Sequence, residues 1–132
     1  MGSTSSSLDW KDTTNDFELV VRIAKEFDQI LNEEFGADKR LSLGNKINYV
    51  QDKERIERLT LRYMWNLVTW RNKLLHKYDC NSLEDLRTSR SEFLERYTKV
   101  KEDLTMLIIQ KRIRLHHVVW HLMDGLKSKK VK

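Results

Sequence analysis

Arg71, Asn72 and His76 stand within six residues of one another, with Lys73 beside them. A guanidinium presents a planar fork of donors that suits a phosphate. An imidazole takes or gives a proton near neutral pH. An amide can orient either group. Together these side chains could grip a phosphate and move a proton next to it. The same residue types are favoured in the last turn of any helix, where cations meet the negative end of its dipole. On that second reading Arg71, Lys73 and His76 only stabilise a terminus, and Asn72 partners the loop backbone.

Spacing limits the first reading. Positions five apart on a straight helix point about 140° away from each other. Arg71 and His76 therefore meet only if the helix stops near Leu75 and His76 swings back, or if the pair is completed across a two-fold axis. Asp79-Cys80-Asn81 reads as a turn and favours the fold-back.

The element carrying these residues reads as a helix from about Asp52 to Leu75. Ile56, Leu59, Tyr63, Leu67, Trp70 and Leu74 form one apolar stripe, and Leu61, Trp65, Val68 and Leu75 form a second on another face. A helix apolar on two sides is either central in its domain or shared with a partner. The second stripe is the expected homodimer interface.

Other segments follow the same logic. Asn15 with Glu18 reads as a capping box, opening a helix whose inner face is Phe17, Val20, Val21, Ala24, Phe27, Leu31 and Phe35, closed by Gly36. Leu43, Ile47 and Val50 anchor a short helical turn capped by Ser42. Ser82, with Asp85 three residues on, is expected to cap a fourth helix buried through Leu86, Phe93, Tyr97, Val100, Leu104, Leu107 and Ile108. The apolar pattern runs on through Leu126. A single helix from 83 to 124 would be about 60 Å long, so a break is expected near Gln110–Arg114, giving a fifth, basic helix.

The chain has 132 residues, no proline and four glycines, which fits one all-α domain, an up-and-down bundle of four to five helices. Residues 1–13 read as a disordered lead, 14–126 as the bundle with its basic last helix at about 110–126, and 127–132 as a basic tail. Gly2 with Ser6 fits an acylation pattern that a cloning remnant also produces. Cys80 is the one cysteine, which excludes an internal disulfide and a cysteine-based zinc site. No apolar run approaches the roughly 20 residues a membrane span requires. An intracellular location, cytoplasmic or nuclear, is expected. The net charge of +5 is concentrated at the end: from Ile109 to Lys132 seven Lys or Arg stand against Asp124 alone. Such an end can meet RNA, acidic lipid or an acidic partner.

Arg71-Asn72-Lys73-Leu74-Leu75-His76, at the end of a third helical segment, resembles the Arg-x(4–6)-His motif of the HEPN superfamily. Ile30 to Gly36 and Leu43 to Tyr49 look like that family's first loop and short second helix. The resemblance covers roughly residues 16–108. It implies a HEPN-like bundle, homodimeric, with RNA as ligand. Many members are metal-independent endoribonucleases leaving 2′,3′-cyclic phosphate ends. On this resemblance His76 would be the acid or base at the ribose 2′-hydroxyl. Arg71 would hold the phosphate and stabilise its charge, Asn72 would orient them, and Lys73 and Lys77 would add phosphate contacts. Other members are non-catalytic dimerisation or adaptor modules in larger protein complexes, which is the alternative expectation. No cofactor is implied.

Lys111, Arg112 and Arg114, with His116, His117 and His121, are expected to form a basic surface for RNA. His117 and His121 share a helix face, but no cysteine and no nearby carboxylate other than Asp124 is there to complete a zinc site, which takes three or four ligands.

Overall fold

The computed structural model describes residues 15–76 and 82–131, the last five by their backbone. Among the described residues the protein is all-helical, with four α-helices: α1 (Asp16–Phe35), α2 (Leu43–Lys53), α3 (Arg58–His76) and α4 (Arg90–Val131). The expected lead over 1–13, and Lys77 and Cys80, lie outside the described residues.

Each helix start has a local cause. The Asn15 side chain accepts hydrogen bonds from the amides of Phe17 and Glu18 at 2.8 and 3.3 Å, so α1 begins where the capping box puts it. Gly36 ends it at φ +74°, and Ala37 N–H reaches back to the Leu31 carbonyl at 3.0 Å. Ser42 Oγ accepts from Asn45 N–H at 3.2 Å and caps α2.

Four boundaries differ from expectation. The third helix begins at Arg58 rather than Asp52, because α2 runs on to Lys53 and Glu54 closes it in an extended conformation. Ser82 and Asp85 cap each other's amides, but over a single 3-10 turn, Glu84–Leu86, which Arg87 closes in the left-handed region. The long helix starts after it, with Ser89 Oγ accepting from Glu92 N–H. No break occurs near Gln110–Arg114: α4 is one helix of 42 residues, about 63 Å long. It contains no proline, and its only glycine is Gly125, so nothing in the backbone interrupts it. The tail expected at 127–132 continues this helix to Val131.

The core gathers Leu19, Ile23, Phe27 and Leu31 of α1, Ile47 and Val50 of α2, Met64 and Leu67 of α3, and Phe93, Tyr97, Val100 and Leu104 of α4. Polar cross-links give the helix directions. Thr60 bonds Asp103, and the Trp70 ring lies against Phe93 at 5.6 Å, so α3 and α4 run antiparallel. Arg90 pairs with Asp16 at 2.8 Å, and Tyr97 donates to Glu26 at 2.6 Å, so α1 and α4 run parallel. Burial pushes the Tyr97 hydroxyl pKa well above its ordinary value, and the Glu26 carboxylate pushes it further the same way.

The inner face of α3 is not the expected one. Thr60, Met64, Leu67, Val68 and Leu74 are buried, while Leu59 is exposed and Tyr63 and Trp70 are half-buried. That face runs between the two apolar stripes and takes residues from both. Thr60 joins it because its hydroxyl finds Asp103.

Candidate functional site

Arg71 lies seven positions after Met64 and three after Val68, which puts it in the middle of the buried face of α3. A cation in that register has to reach out of the core at the helix end. It does so into a hollow of about 550 Å³ bounded by α1, the loop after it, the start of α2 and the end of α3. Lys25, Lys39, Lys46 and Arg71 line this hollow, with Asp28 as the one acid among the described residues of its lining. Asn72 Oδ1 accepts from Arg71 Nε and Nη2 at 3.3 and 3.0 Å and steadies the guanidinium.

The floor is an ion pair between a buried lysine and a half-buried carboxylate. The Lys46 side chain is 3% exposed, and its Nζ donates to Asp28 Oδ1 at 2.8 Å. Lys46 is buried because α2 packs closely on its neighbours. Gly44 allows that approach: a Cβ there would stand 3.1 Å from the Trp65 ring. The rim holds Ser42 and Leu43, where the N-terminus of α2 and the positive end of its dipole favour an anion. The loop bearing Lys39 is held by Asp38, which accepts from Arg40 Nε, Nη2 and backbone N–H at 2.9 to 3.2 Å. Those Arg40 hydrogen bonds hold the Asp38 carboxyl below the usual carboxylate range. The arrangement fits a phosphate-sized anion with an apolar wall from Val21, Ala24 and Leu75.

His76 does not join it. It is the last residue of α3, exposed, and outside the lining of the hollow. The helix includes it, so the fold-back that would bring it to Arg71 is not present in one chain. Asn72 and Lys73 are exposed beside the hollow.

Leu61, Trp65, Val68 and Leu75 do not form one open stripe either. Val68 is buried in the core, Leu61 and Trp65 pack against it, and Leu75 alone of the four is exposed. Lys111, Arg112 and Arg114 are engaged within the chain: Lys111 with Glu54 at 3.6 Å and the Glu34 carbonyl at 3.3 Å, Arg112 with Glu34 at 3.1 Å, and Arg114 with Glu54 at 3.8 Å. They fix the point at which α4 leaves the bundle.

His117 and His121 approach to 3.0 Å between Nε2 atoms, edge to face. Among the described residues no group of three His, Cys, Asp or Glu is placed to hold a metal.

Reading the sequence for Arg71 to His76 alone missed Lys25, Lys39, Lys46 and Asp28. The signal for Lys46 was its register with Leu43, Ile47 and Val50, which puts an ammonium on the inner face of α2.

What the fold and the hollow define together is an all-helical bundle with a cationic pocket at the end of its third helix. No family model, no curated protein and no solved structure matches the chain. No helix among the described residues is long and apolar enough to cross a membrane.

Proposed function

We propose that this chain is an RNA-binding helical bundle of the HEPN kind, with the hollow at Arg71 as its phosphate site. One observation carries the reading: Arg71, Lys25, Lys39 and Lys46 line a single hollow with one acid among them, and a helix N-terminus lies on its rim. Phosphate contacts of this type hold a strand by charge without reading its sequence. Lys73, exposed on the same turn, extends the track.

The reading includes metal-independent endoribonuclease activity, completed between two copies. His76 points away from the hollow of its own chain, so the proton-transfer group would come from the other copy. The ribose 2′-oxygen attacks the adjacent phosphorus as an imidazole takes its proton. The bond from phosphorus to the 5′-oxygen breaks, and a returned proton leaves a 5′-hydroxyl beside a 2′,3′-cyclic phosphate. Arg71 stabilises the charge that builds on the phosphate oxygens.

The test incubates pure protein with single-stranded RNA in EDTA, beside Arg71→Ala and His76→Ala. Binding by the wild type, weakened by Arg71→Ala by about tenfold or more, supports the phosphate site. RNA left unbound by the wild type overturns it. Cyclic-phosphate ends that vanish in His76→Ala support cleavage, and intact RNA overturns that step alone.

A second reading, a non-catalytic adaptor that assembles with a larger protein complex, is favoured by a different observation. Between Ile109 and Leu126, α4 runs beyond the packed core with its apolar side chains exposed.

A further inference from the structure

We propose that the projecting part of α4, from Ile109 to Leu126, is a docking helix received by acidic amphipathic helices of a partner protein. This does not depend on the RNA site.

The register of α4 does not change where the bundle ends. Leu115, Val119, Leu122 and Leu126 fall within about 60° of Leu104 at 100° per residue. They continue the stripe that the bundle buries through Tyr97, Val100 and Leu104. Leu104 is fully buried, while Leu115 and Leu122 are 66% and 65% exposed. The spacing of the exposed four is 4-3-4, the seam of a coiled coil. Apolar side chains exposed in one row on a helix about 27 Å long form a contiguous apolar surface of the kind that marks an interaction site. The row begins at a mainly apolar hollow of about 280 Å³ lined by Ile108 and Leu115, with Glu34, Lys111 and Arg112 around it.

Three occupants compete, and charge and geometry separate them. A second copy is disfavoured in both directions. By sequence, parallel pairing brings the segment bearing Lys127, Lys129 and Lys130 beside its own copy. Antiparallel pairing brings that segment beside Arg112 and Arg114, which stay largely exposed despite their ion pairs, and Asp124 is the only acid from Ile109 onward. Like charges beside a seam destabilise it. A membrane surface needs one apolar and one polar face, yet Ile109, Ile113 and Trp120 are exposed on the side opposite Leu122. A helix apolar on two opposite sides is covered best by protein on both sides. The complement is therefore a pair of helices, or a helical groove, with Leu or Ile along the seam and Asp or Glu at its ends. The ion pairs from Glu34 and Glu54 to Lys111, Arg112 and Arg114 brace the root, so the helix is presented in a fixed direction.

The experiment uses the full chain and a labelled synthetic helix carrying Leu and Ile at heptad seam positions and Glu at the flanking ones. A twin with Lys for Glu is the control, and Leu115→Asp/Leu122→Asp is the variant. Both positions are exposed, so the variant keeps the helical content and melting temperature of the wild type. Support is binding of the Glu helix, at least about tenfold weaker for the Lys helix and for the variant. Equal binding of both helices, or none at about 100 µM, overturns the proposal. So does a stripe-dependent homodimer in sedimentation equilibrium, or stripe-dependent binding to phosphatidylserine-containing vesicles in place of the peptide.

Discussion

Lys46 Nζ of α2 lies 2.8 Å from Asp28 Oδ1 of α1, with the lysine side chain almost wholly out of water. A charge in that position is tolerable only with its partner in place. The pair joins two helices and also forms the floor of the cationic hollow, so its removal acts on stability and on anion binding together. Asp28→Ala leaves the ammonium buried and unpaired and is expected to cost about 3 kcal/mol. Lys46→Met leaves a carboxylate that still reaches solvent and costs less. Denaturant titration of the two variants checks the order, and an Asp28→Ala protein as stable as Lys46→Met would contradict it.

Arg71 and His76 are expected to separate in function. Arg71→Ala should weaken RNA binding and reduce the salt dependence by roughly 0.7 in log–log slope, the value for one phosphate contact on a single strand. His76→Ala should leave both unchanged. Binding isotherms at several salt concentrations read this, and a His76→Ala effect as large as that of Arg71→Ala would put the phosphate elsewhere.

Asp16 ties the start of α1 to α4. It accepts from Arg90 Nε and Nη2 at 3.2 and 2.8 Å and from Leu83 N–H at 3.0 Å. Partial burial pushes its carboxyl up, but the Arg90 hydrogen bond, the Leu83 amide and the Arg90 charge outweigh that and hold it below the usual range. A carboxyl lowered by folding stabilises above its unfolded pKa and loses that contribution as pH falls through its folded one. Stability should therefore decline below about pH 4, and less steeply in Asp16→Asn. Asp16→Asn itself should cost about 1–2 kcal/mol at pH 7. Equal slopes for the two proteins in urea titrations from pH 5 to pH 2 would remove Asp16 from this account.

Gly36 holds φ at +74° where α1 stops. Gly36→Ala is expected to lose about 1 kcal/mol, although the nearest side-chain atom to the new Cβ, Tyr49 Oη, is 3.9 Å away. The loss would come from the backbone and not from a clash. Thermal melts of the variant, and of Gly36→Asn as a milder replacement, measure it; Gly36→Ala melting with the wild type would contradict it.

Leu104 and Leu122 share a register on α4 but differ in environment. Leu104→Ala should cost about 2–5 kcal/mol through the cavity it leaves. Leu122→Ala should stay within about 0.5 kcal/mol. Chemical denaturation of the isolated chain checks the contrast, and a large loss at Leu122 would mean that the extension is packed in solution.

Much of this was written in local chemistry. Asn15, Gly36 and Ser42 mark their helix ends because capping depends on neighbours two to four residues away. The apolar face of α2 followed from period, and most of that of α1 did; Leu19 and Ile23 join it, while Phe17, in the first turn, is exposed and Val21 only half-buried. Local signals misled where two solutions share one sequence. Ser82 and Asp85 cap a 3-10 turn as readily as a helix, and a helical pattern about 60 Å long argues for a break near Gln110–Arg114 although nothing there stops a helix. The inner face of α3 was misread because its apolar residues surround the helix, and only the partners available, such as Asp103 for Thr60, choose among the faces.

By itself, then, the sequence determined that the chain is helical, where α1 begins and ends, where α2 begins, and that a guanidinium stands near the end of α3. These follow from propensity, capping and period, which act over a few residues. Only the tertiary structure decided that Arg71 belongs with Lys25, Lys39 and Lys46, that His76 does not, and that the apolar stripe of α4 runs past the bundle uncovered. Those outcomes depend on which helix lies against which, and a contact between residues far apart in the chain leaves no local pattern in either one.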